Sequence, residues 1–281
     1  MKSVSIIAGG YLGQRLADAL NCSKYEVKLS FRLNRPKFNV NWQSWYQCEL
    51  AEGRLSYDEG LFDSDCVVIC LPPGFKLGVG KYYPAHVSSL VEQAVLHGVN
   101  QVIFTSSVGV YAEKGVFDEN SPIPAASVKQ QALYDAEQAV LNSRLKYKQV
   151  VRLAGLMGPA RHPGNFNVQL HSAQMDRPVN MVMIDDVVAA ITTLILEPQT
   201  ESQLYNLVAP HHPTKHCFYR FAQQTLDKNN LFFETETEHT DWAEPHADEK
   251  RVVGSRIEQE TAFTYRHRDL FQALRSLPHP D

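Results

Sequence analysis

Short apolar, β-branched runs recur along the first two-thirds of the chain and alternate with longer stretches of helical period. The runs are Val4-Ser5-Ile6-Ile7, Val27-Lys28-Leu29-Ser30, Cys66-Val67-Val68-Ile69-Cys70, Val102-Ile103-Phe104-Thr105 and Val150-Val151-Arg152-Leu153. Between them, Gln14 to Leu20, Ala85 to His97 and Gln131 to Leu145 have the spacing of helices with one buried face. Gly98 stands where the second of these should stop, because glycine adopts the left-handed backbone that ends a helix. Strands apolar on both faces belong to a parallel sheet covered by crossover helices. The pattern predicts an α/β fold, a doubly wound parallel sheet.

The last third reads differently. Residues 159 to 178 are rich in Gly, Pro, His and Asn, and Glu234 to Glu249 is acidic with scattered His. Pro213 to Lys228 is an amphipathic helix candidate, and Val252 to Leu274 reads as helix, short strand, helix. The expected division is a main domain over residues 1–158, with 179–208 returning to it, and a smaller C-terminal lobe on the substrate side over 209–281 with the loop 159–178. There is no internal repeat and no low-complexity tract.

Composition narrows the function classes. The chain has 281 residues, 44% apolar and 21% charged, which excludes wholesale disorder, collagen repeats and a coiled-coil rod. With 27 Lys plus Arg against 31 Asp plus Glu, the net charge of −4 gives no drive toward nucleic acid and no polybasic membrane patch. No apolar run reaches the roughly 18 residues that span a bilayer. Met1-Lys2-Ser3 enters a strand at once, without the apolar segment of a signal peptide, so a cytoplasmic protein is expected. Five cysteines without a CxxC fit reduced thiols, with Cys66 and Cys70 as small core hydrophobes.

The first strand runs into Ala8-Gly9-Gly10-Tyr11-Leu12-Gly13 and then a helix. This is a GxGxxG turn with Ala8 in place of its first glycine. Gly10 would let the backbone approach a pyrophosphate seated on the amides of Tyr11 and Leu12, and Gly13 would let helix and strand pack closely. A dinucleotide site on a Rossmann-type sheet follows. In NAD-preferring sites an acid ends the second strand to hold the ribose diol. Here that place reads Ser30-Phe31-Arg32-Leu33-Asn34-Arg35, with no acid. Arg32 and Arg35 could instead hold a 2′-phosphate by forked hydrogen bonds, so NADP is preferred over NAD.

Together with these residues, several later segments make the chain resemble the short-chain dehydrogenase/reductases of the extended type, the NAD-dependent epimerase/dehydratase group, and within it an atypical nucleoside-diphosphate-sugar epimerase-like subgroup. Glu49-Leu50 resembles the pair ending the third strand near the adenine, and Leu71-Pro72-Pro73-Gly74 the turn that passes over the cofactor. Thr105-Ser106-Ser107-Val108-Gly109-Val110-Tyr111 is similar to the family's Ser-rich strand end. Arg152 to Pro159, Asn180 to Val187 and Tyr205-Asn206-Leu207 match later strands of extended members. The resemblance adds Leu71, Pro72, Pro73, Thr105 and Ser106 to the cofactor contacts and implies that Ser107 is the catalytic hydroxyl.

In that family a Tyr four residues before a Lys moves the proton. No tyrosine here has Lys at that spacing: Tyr134 is followed by Gln138, Tyr82 by His86 and Tyr11 by Arg15. Aligning Ala136-Glu137 with the family's Ala-Glu puts Lys129 at the Tyr position and Leu133 at the Lys position. Tyr111, Tyr134 and Lys129 are the candidates to replace the missing acid. Asp186 or its neighbour is read as a helix N-cap. His212 and His216, four apart, read as solvated histidines before a capped helix rather than as metal ligands, so no metal site is expected. The acidic run Glu234 to Glu249 reads as a solvated loop at the edge of a substrate pocket.

Two functions remain open. One is an NADP(H)-dependent oxidoreductase or epimerase/dehydratase-like enzyme acting on a hydroxyl- or carbonyl-bearing small molecule, with nucleotide-sugars among the candidates. The other is a non-catalytic NADP(H) sensor, favoured by the lost dyad. Members of the family dimerise through the helices corresponding to Ala85–His97 and Gln131–Leu145, and homodimer and monomer both remain open.

Overall fold

The computed structural model describes residues 2–22, 25–32, 44–52, 54–124, 126–166, 176–198, 203–226 and 248–278. Its first half comprises β1 (Ser3–Ile7), α1 (Tyr11–Cys22), β2 (Glu26–Phe31), β3 (Ser44–Ala51), β4 (Arg54–Tyr57), β5 (Cys66–Ile69), α2 (Tyr83–Leu96) and β6 (Gln101–Ser107). Then come β7 (Val116–Phe117), α3 (Val128–Leu141), β8 (Tyr147–Leu153), β9 (Gly155–Met157), β10 (Met181–Met183), α4 (Ile184–Leu196) and β11 (Gln203–Leu207). The chain closes with α5 (Lys215–Gln224), β12 (Arg251–Val252), α6 (Arg256–Glu260) and α7 (Leu270–Ser276).

Eight strands form the central sheet in the order β11-β8-β6-β5-β1-β2-β3-β4. All neighbours are parallel except β4, which folds back antiparallel on β3. The order reverses between β1 and β5, which opens a crevice at their carboxyl ends. Helices α1 and α4 pack against each other on one face, α2 and α3 on the other. Every residue of β5 is buried, and Val102, Ile103 and Phe104 of β6 are fully so, as the uninterrupted apolar runs require. Each such Val, Ile or Leu contributes about 1.5–3 kcal/mol on burial. Gly98 closes α2 in the left-handed region, at φ 70°.

Two expectations change. Helix α3 stops at Leu141 rather than Leu145, because Asn142 caps it and Ser143 ties back to the Val140 carbonyl. Between α6 and α7 there is no strand; the short strand, β12, precedes α6 and pairs with β7. The buried apolar residues gather in two clusters. A second core gathers Phe218, Phe221, Leu270, Phe271 and Leu274 with Met157, Val179, Met181 and Met183, whereas Val252, Ile257, Phe263 and Tyr265 join the main core. In β10, Met181 and Met183 face the second core and Val182 the first, by the two-residue alternation of a strand.

Cysteine thiols match their reading as core hydrophobes. Cys66 is buried and Cys70 partly so, and burial raises both thiols, Cys70 up to about 12.

Candidate functional site

The turn between β1 and α1 is held by its own backbone. Gly9 N donates to Ser30 O at 2.8 Å, Ala8 N to the Ser30 hydroxyl at 2.9 Å, and Gln14 Nε2 to Gly9 O at 2.7 Å. A Cβ on Gly13 would lie 2.4 Å from the Ala8 carbonyl oxygen, so only glycine lets helix and strand meet there. A Cβ on Gly10 would meet nothing within 4 Å. Gly10 is exposed, with open space in front of it at the head of α1, where the first-turn amides of a helix lack intrahelical partners. Ala8, standing for the first glycine, takes the left-handed φ of 75°. The cradle thus fits a pyrophosphate: bare backbone, a helix N-terminus and no side chain in the way.

Across the crevice from this turn, Leu71-Pro72-Pro73 follows β5 with Pro72 exposed and Leu71 and Pro73 partly buried. Arg32 is exposed immediately after β2. Arg35 lies outside the described residues. Ser30 is buried, and its hydroxyl and carbonyl brace the glycine turn rather than facing outward.

At the end of β6 the hydroxyls divide. Thr105 Oγ1 donates to Ile69 O at 3.1 Å, and Ser106 Oγ to Glu137 Oε1 at 2.6 Å, both buried. These bonds turn both side chains into the protein, away from the cofactor contacts expected of them. Ser107 is half-buried, and its oxygen accepts from Gly109 N at 3.0 Å, which caps the turn over residues 108–110. Among the described residues no acceptor takes its own proton. A Cβ at Gly109 would stand 3.1 Å from Ser107 Oγ and 3.5 Å from Lys129 Nζ, so the Lys129 ammonium and the Ser107 hydroxyl converge on this glycine.

Tyr111 is placed differently from the expected acid. It is fully buried, its hydroxyl donating toward Asp118 O at 2.8 Å and Asn206 Oδ1 at 2.9 Å while Arg152 donates to it at 2.8 Å. Arg152 also forms a buried ion pair with Glu137 at 2.6 Å. Burial raises the phenol above its ordinary range despite the adjacent Arg152. A group locked in this way braces α3, β8 and β11. Tyr134 is partly buried against the main core.

A cavity of about 210 Å³ is walled by Glu113, from the loop that follows β6, and by Arg177, Asn180, Lys215, Tyr219 and Lys250 among others. Sequence reasoning missed Lys250, whose Nζ donates to Tyr111 O at 3.2 Å. Burial lowers its ammonium below the usual lysine range; Glu113 opposes this and Lys129 adds to it. Glu249, from the acidic run, pairs with Arg177 at 3.1 Å on the cavity wall, while 234–247 lie outside the described residues. A larger cavity, about 280 Å³, opens at the amino ends of β1, β5, β6 and β8, around Lys2, Asp65 and Tyr147. Open parallel sheets bind ligands at the carboxyl ends of their strands, so the smaller cavity is the one placed for chemistry.

The remaining assignments are structural. Asp186 is not the N-cap: Met183 is, and the buried Asp186 carboxylate accepts from Arg266 N at 2.9 Å and His267 N at 3.1 Å. His212 is not solvated. Its Nδ1 bonds Val179 O at 3.1 Å, and burial lowers it to about 4. Thr214 does cap α5, accepting from Cys217 N. Among the described residues no group of three His, Cys, Asp or Glu side chains is arranged to hold a metal, and no helix is long and apolar enough to cross a membrane.

No protein-family model matches the chain. Protein YeeZ of Escherichia coli K12 is 30% identical over 276 residues, which cover 96% of this chain and 97% of that protein. Solved structures share the fold at lower identity. MoeE5 in complex with UDP-glucuronic acid and NAD superposes with TM-score 0.73 at 17% identity, covering 99% and 97% of the two chains. UDP-glucose 4-epimerase of Thermotoga maritima gives 0.71 at 16% identity, over 97% and 96%. The human epimerase family protein SDR39U1 with NADPH gives 0.66 at 17% identity, over 98% of each.

Proposed function

The chain belongs to the family of Protein YeeZ, and from that premise and the glycine cradle we propose that it binds NADP(H) and acts as an atypical extended short-chain dehydrogenase/reductase. Its substrate is a hydroxyl- or carbonyl-bearing small molecule, with nucleotide-sugars the leading class, and it works in the cytoplasm. The observation that carries this reading is Gly10: a glycine with free space before it at a helix N-terminus, on a turn whose other glycines are explained by packing.

In this reading the amides of Tyr11 and Leu12 at the head of α1 seat the pyrophosphate where Gly10 lets it approach, and Leu71 to Pro73 closes the other side of the crevice. Arg32, on a strand end that carries no acid, meets the 2′-phosphate. When bound, the nicotinamide supplies the hydride acceptor or donor. Ser107 directs its free proton to a substrate oxygen while its own oxygen stays fixed by Gly109 N. The cavity walled by Glu113 and Lys250 receives the rest of the substrate. Support for the nucleotide-sugar class comes from neighbours of similar fold whose structures hold UDP-sugars.

The reading is tested by calorimetry with NADPH, NADP⁺ and NADH. NADPH is expected to bind more tightly than NADH, and Arg32→Ala is expected to remove that difference. Equal affinities rule out the NADP preference, and the absence of binding by any nucleotide rules out the whole reading. A second reading, an NADP(H) sensor, draws on one observation: the tyrosine nearest the site, Tyr111, is locked in the core. Tight binding with a partner protein whose affinity follows the NADP⁺/NADPH ratio, and no turnover, favours it.

A further inference from the structure

We propose that Lys250, reaching the loop after β6 from the C-terminal part of the chain, exchanges the proton with the substrate in place of the absent Tyr/Lys pair. The inference rests on the nicotinamide-binding reading above and names a proton carrier that the reading lacks. Three facts place Lys250. Its Nζ is held at 3.2 Å from Tyr111 O, a carbonyl that also accepts from Gln130 Nε2 at 2.8 Å, so the lysine is anchored to the loop that follows Ser107. It lines the cavity next to that loop. Lys129, the residue aligned with the missing tyrosine, lies close enough to repel it and, through Gly109, also adjoins the Ser107 hydroxyl.

The surroundings set its charge. Facing it are Glu113 from the loop after β6, Lys129 from α3, Arg177 and Asn180 from the segment before β10, and Lys215 and Tyr219 from α5. Glu249 and Arg251 adjoin it in the chain, and Glu249 is already spent on Arg177. Burial and Lys129 together outweigh Glu113, and the ammonium loses its proton more readily than an ordinary lysine. An amine with this bias serves as a general base.

For an alcohol substrate the step balances as follows. The hydroxyl proton passes to the free pair of Lys250 Nζ, which becomes an ammonium. The carbinol carbon gives its hydrogen with both bonding electrons to the oxidised nicotinamide, and the C–O bond becomes C=O. In the reverse direction the ammonium returns the proton to the forming alkoxide. Ser107 holds the same oxygen, and Lys129 loosens the hold of Lys250 on its proton.

The test follows Lys250 itself. The full-length protein is reductively methylated with ¹³C-formaldehyde, and the Lys250 methyl signal, assigned by its loss in Lys250→Arg, is titrated with saturating NADP⁺ and with NADPH. The positive ring of NADP⁺ is expected to lower the Lys250 midpoint by about half a pH unit or more relative to NADPH, with Lys2, before the amino end of β1, unmoved. Lys129→Gln is expected to raise the midpoint. Binding of both nucleotides with an identical Lys250 midpoint overturns the proposal, as does an unmoved midpoint in Lys129→Gln. Failure of both nucleotides to bind instead removes the reading beneath it. On any alcohol oxidised with NADP⁺, Lys250→Met is expected to lower kcat by about 100-fold or more with KM little changed, and a retained kcat overturns the assignment.

Discussion

The glycines of the first turn separate two physical demands that a motif merges. At Gly13 a methyl group would collide with the Ala8 carbonyl, a backbone atom that cannot swing away. At Gly10 a methyl group would collide with nothing in the protein, so the fold gives no reason for its absence and a ligand backbone does. Gly10→Ala is therefore expected to keep the melting temperature within the scatter of a surface change, about 0.5 kcal/mol, while weakening NADPH binding at least tenfold. Gly13→Ala is expected to cost stability outright, by roughly 1–3 kcal/mol as an overpacked position. Calorimetry and thermal melts on the two variants read this contrast; a Gly10→Ala protein that binds NADPH like the parent removes the pyrophosphate from the turn. This much was legible in the letters, since strand, glycines and helix are contiguous. The conformation of Ala8 was not: a left-handed alanine costs about 1–2 kcal/mol, and no local rule signals that the chain will accept it.

Among the elements, the parallel strands and their helices were readable because both periodicities are local. What joins α3 to β8 was not. Glu137 reads as an ordinary polar position on a helix and Arg152 as an odd polar letter in a strand, yet they meet as a fully buried pair tied to Ser106 and Tyr111. The family-like strand end directed attention to Ser106 and Tyr111 as chemistry, and it is this pair, invisible until the helix is laid on the sheet, that turns them into bracing. Removing one partner leaves a charge stranded in the core. Arg152→Met is expected to cost about 3–5 kcal/mol in urea denaturation, whereas Arg152→Met with Glu137→Leu, which removes both charges, is expected to recover most of that loss. A double variant no more stable than the single one argues that Arg152 works through Tyr111 rather than Glu137.

For the whole molecule, packing interleaves the chain between two hydrophobic clusters. The β9–β10 ribbon serves both cores, residues 252–265 return to the first, and the segment 177–181 runs beside 209–215, with Val179 N bonded to Pro213 O and Lys215 N to Arg177 O. The cavity that holds Lys250 sits at this seam, and so does His212. With Nδ1 donating to Val179 O, His212 is neutral in the fold, held near 4 by burial, with Arg251 and His211 adding to the fall and the Val179 bond opposing it. Unfolded, it would titrate near 6.5. Between those values the unfolded chain binds more protons than the native one, so stability rises with pH there. The contribution of His212 is complete above about pH 6.5 and drains away as acid carries the solution down through about 4, by roughly 3–3.5 kcal/mol in all. Asp186, raised by burial, acts in the opposite sense, so the parent's own pH curve mixes the two. Subtracting the curve of His212→Asn, which keeps a side-chain donor and cannot titrate, isolates the histidine. The difference in unfolding free energy is expected to shrink steadily from pH 6.5 to 4, and a flat difference over that range means that the ring is charged in the folded seam after all.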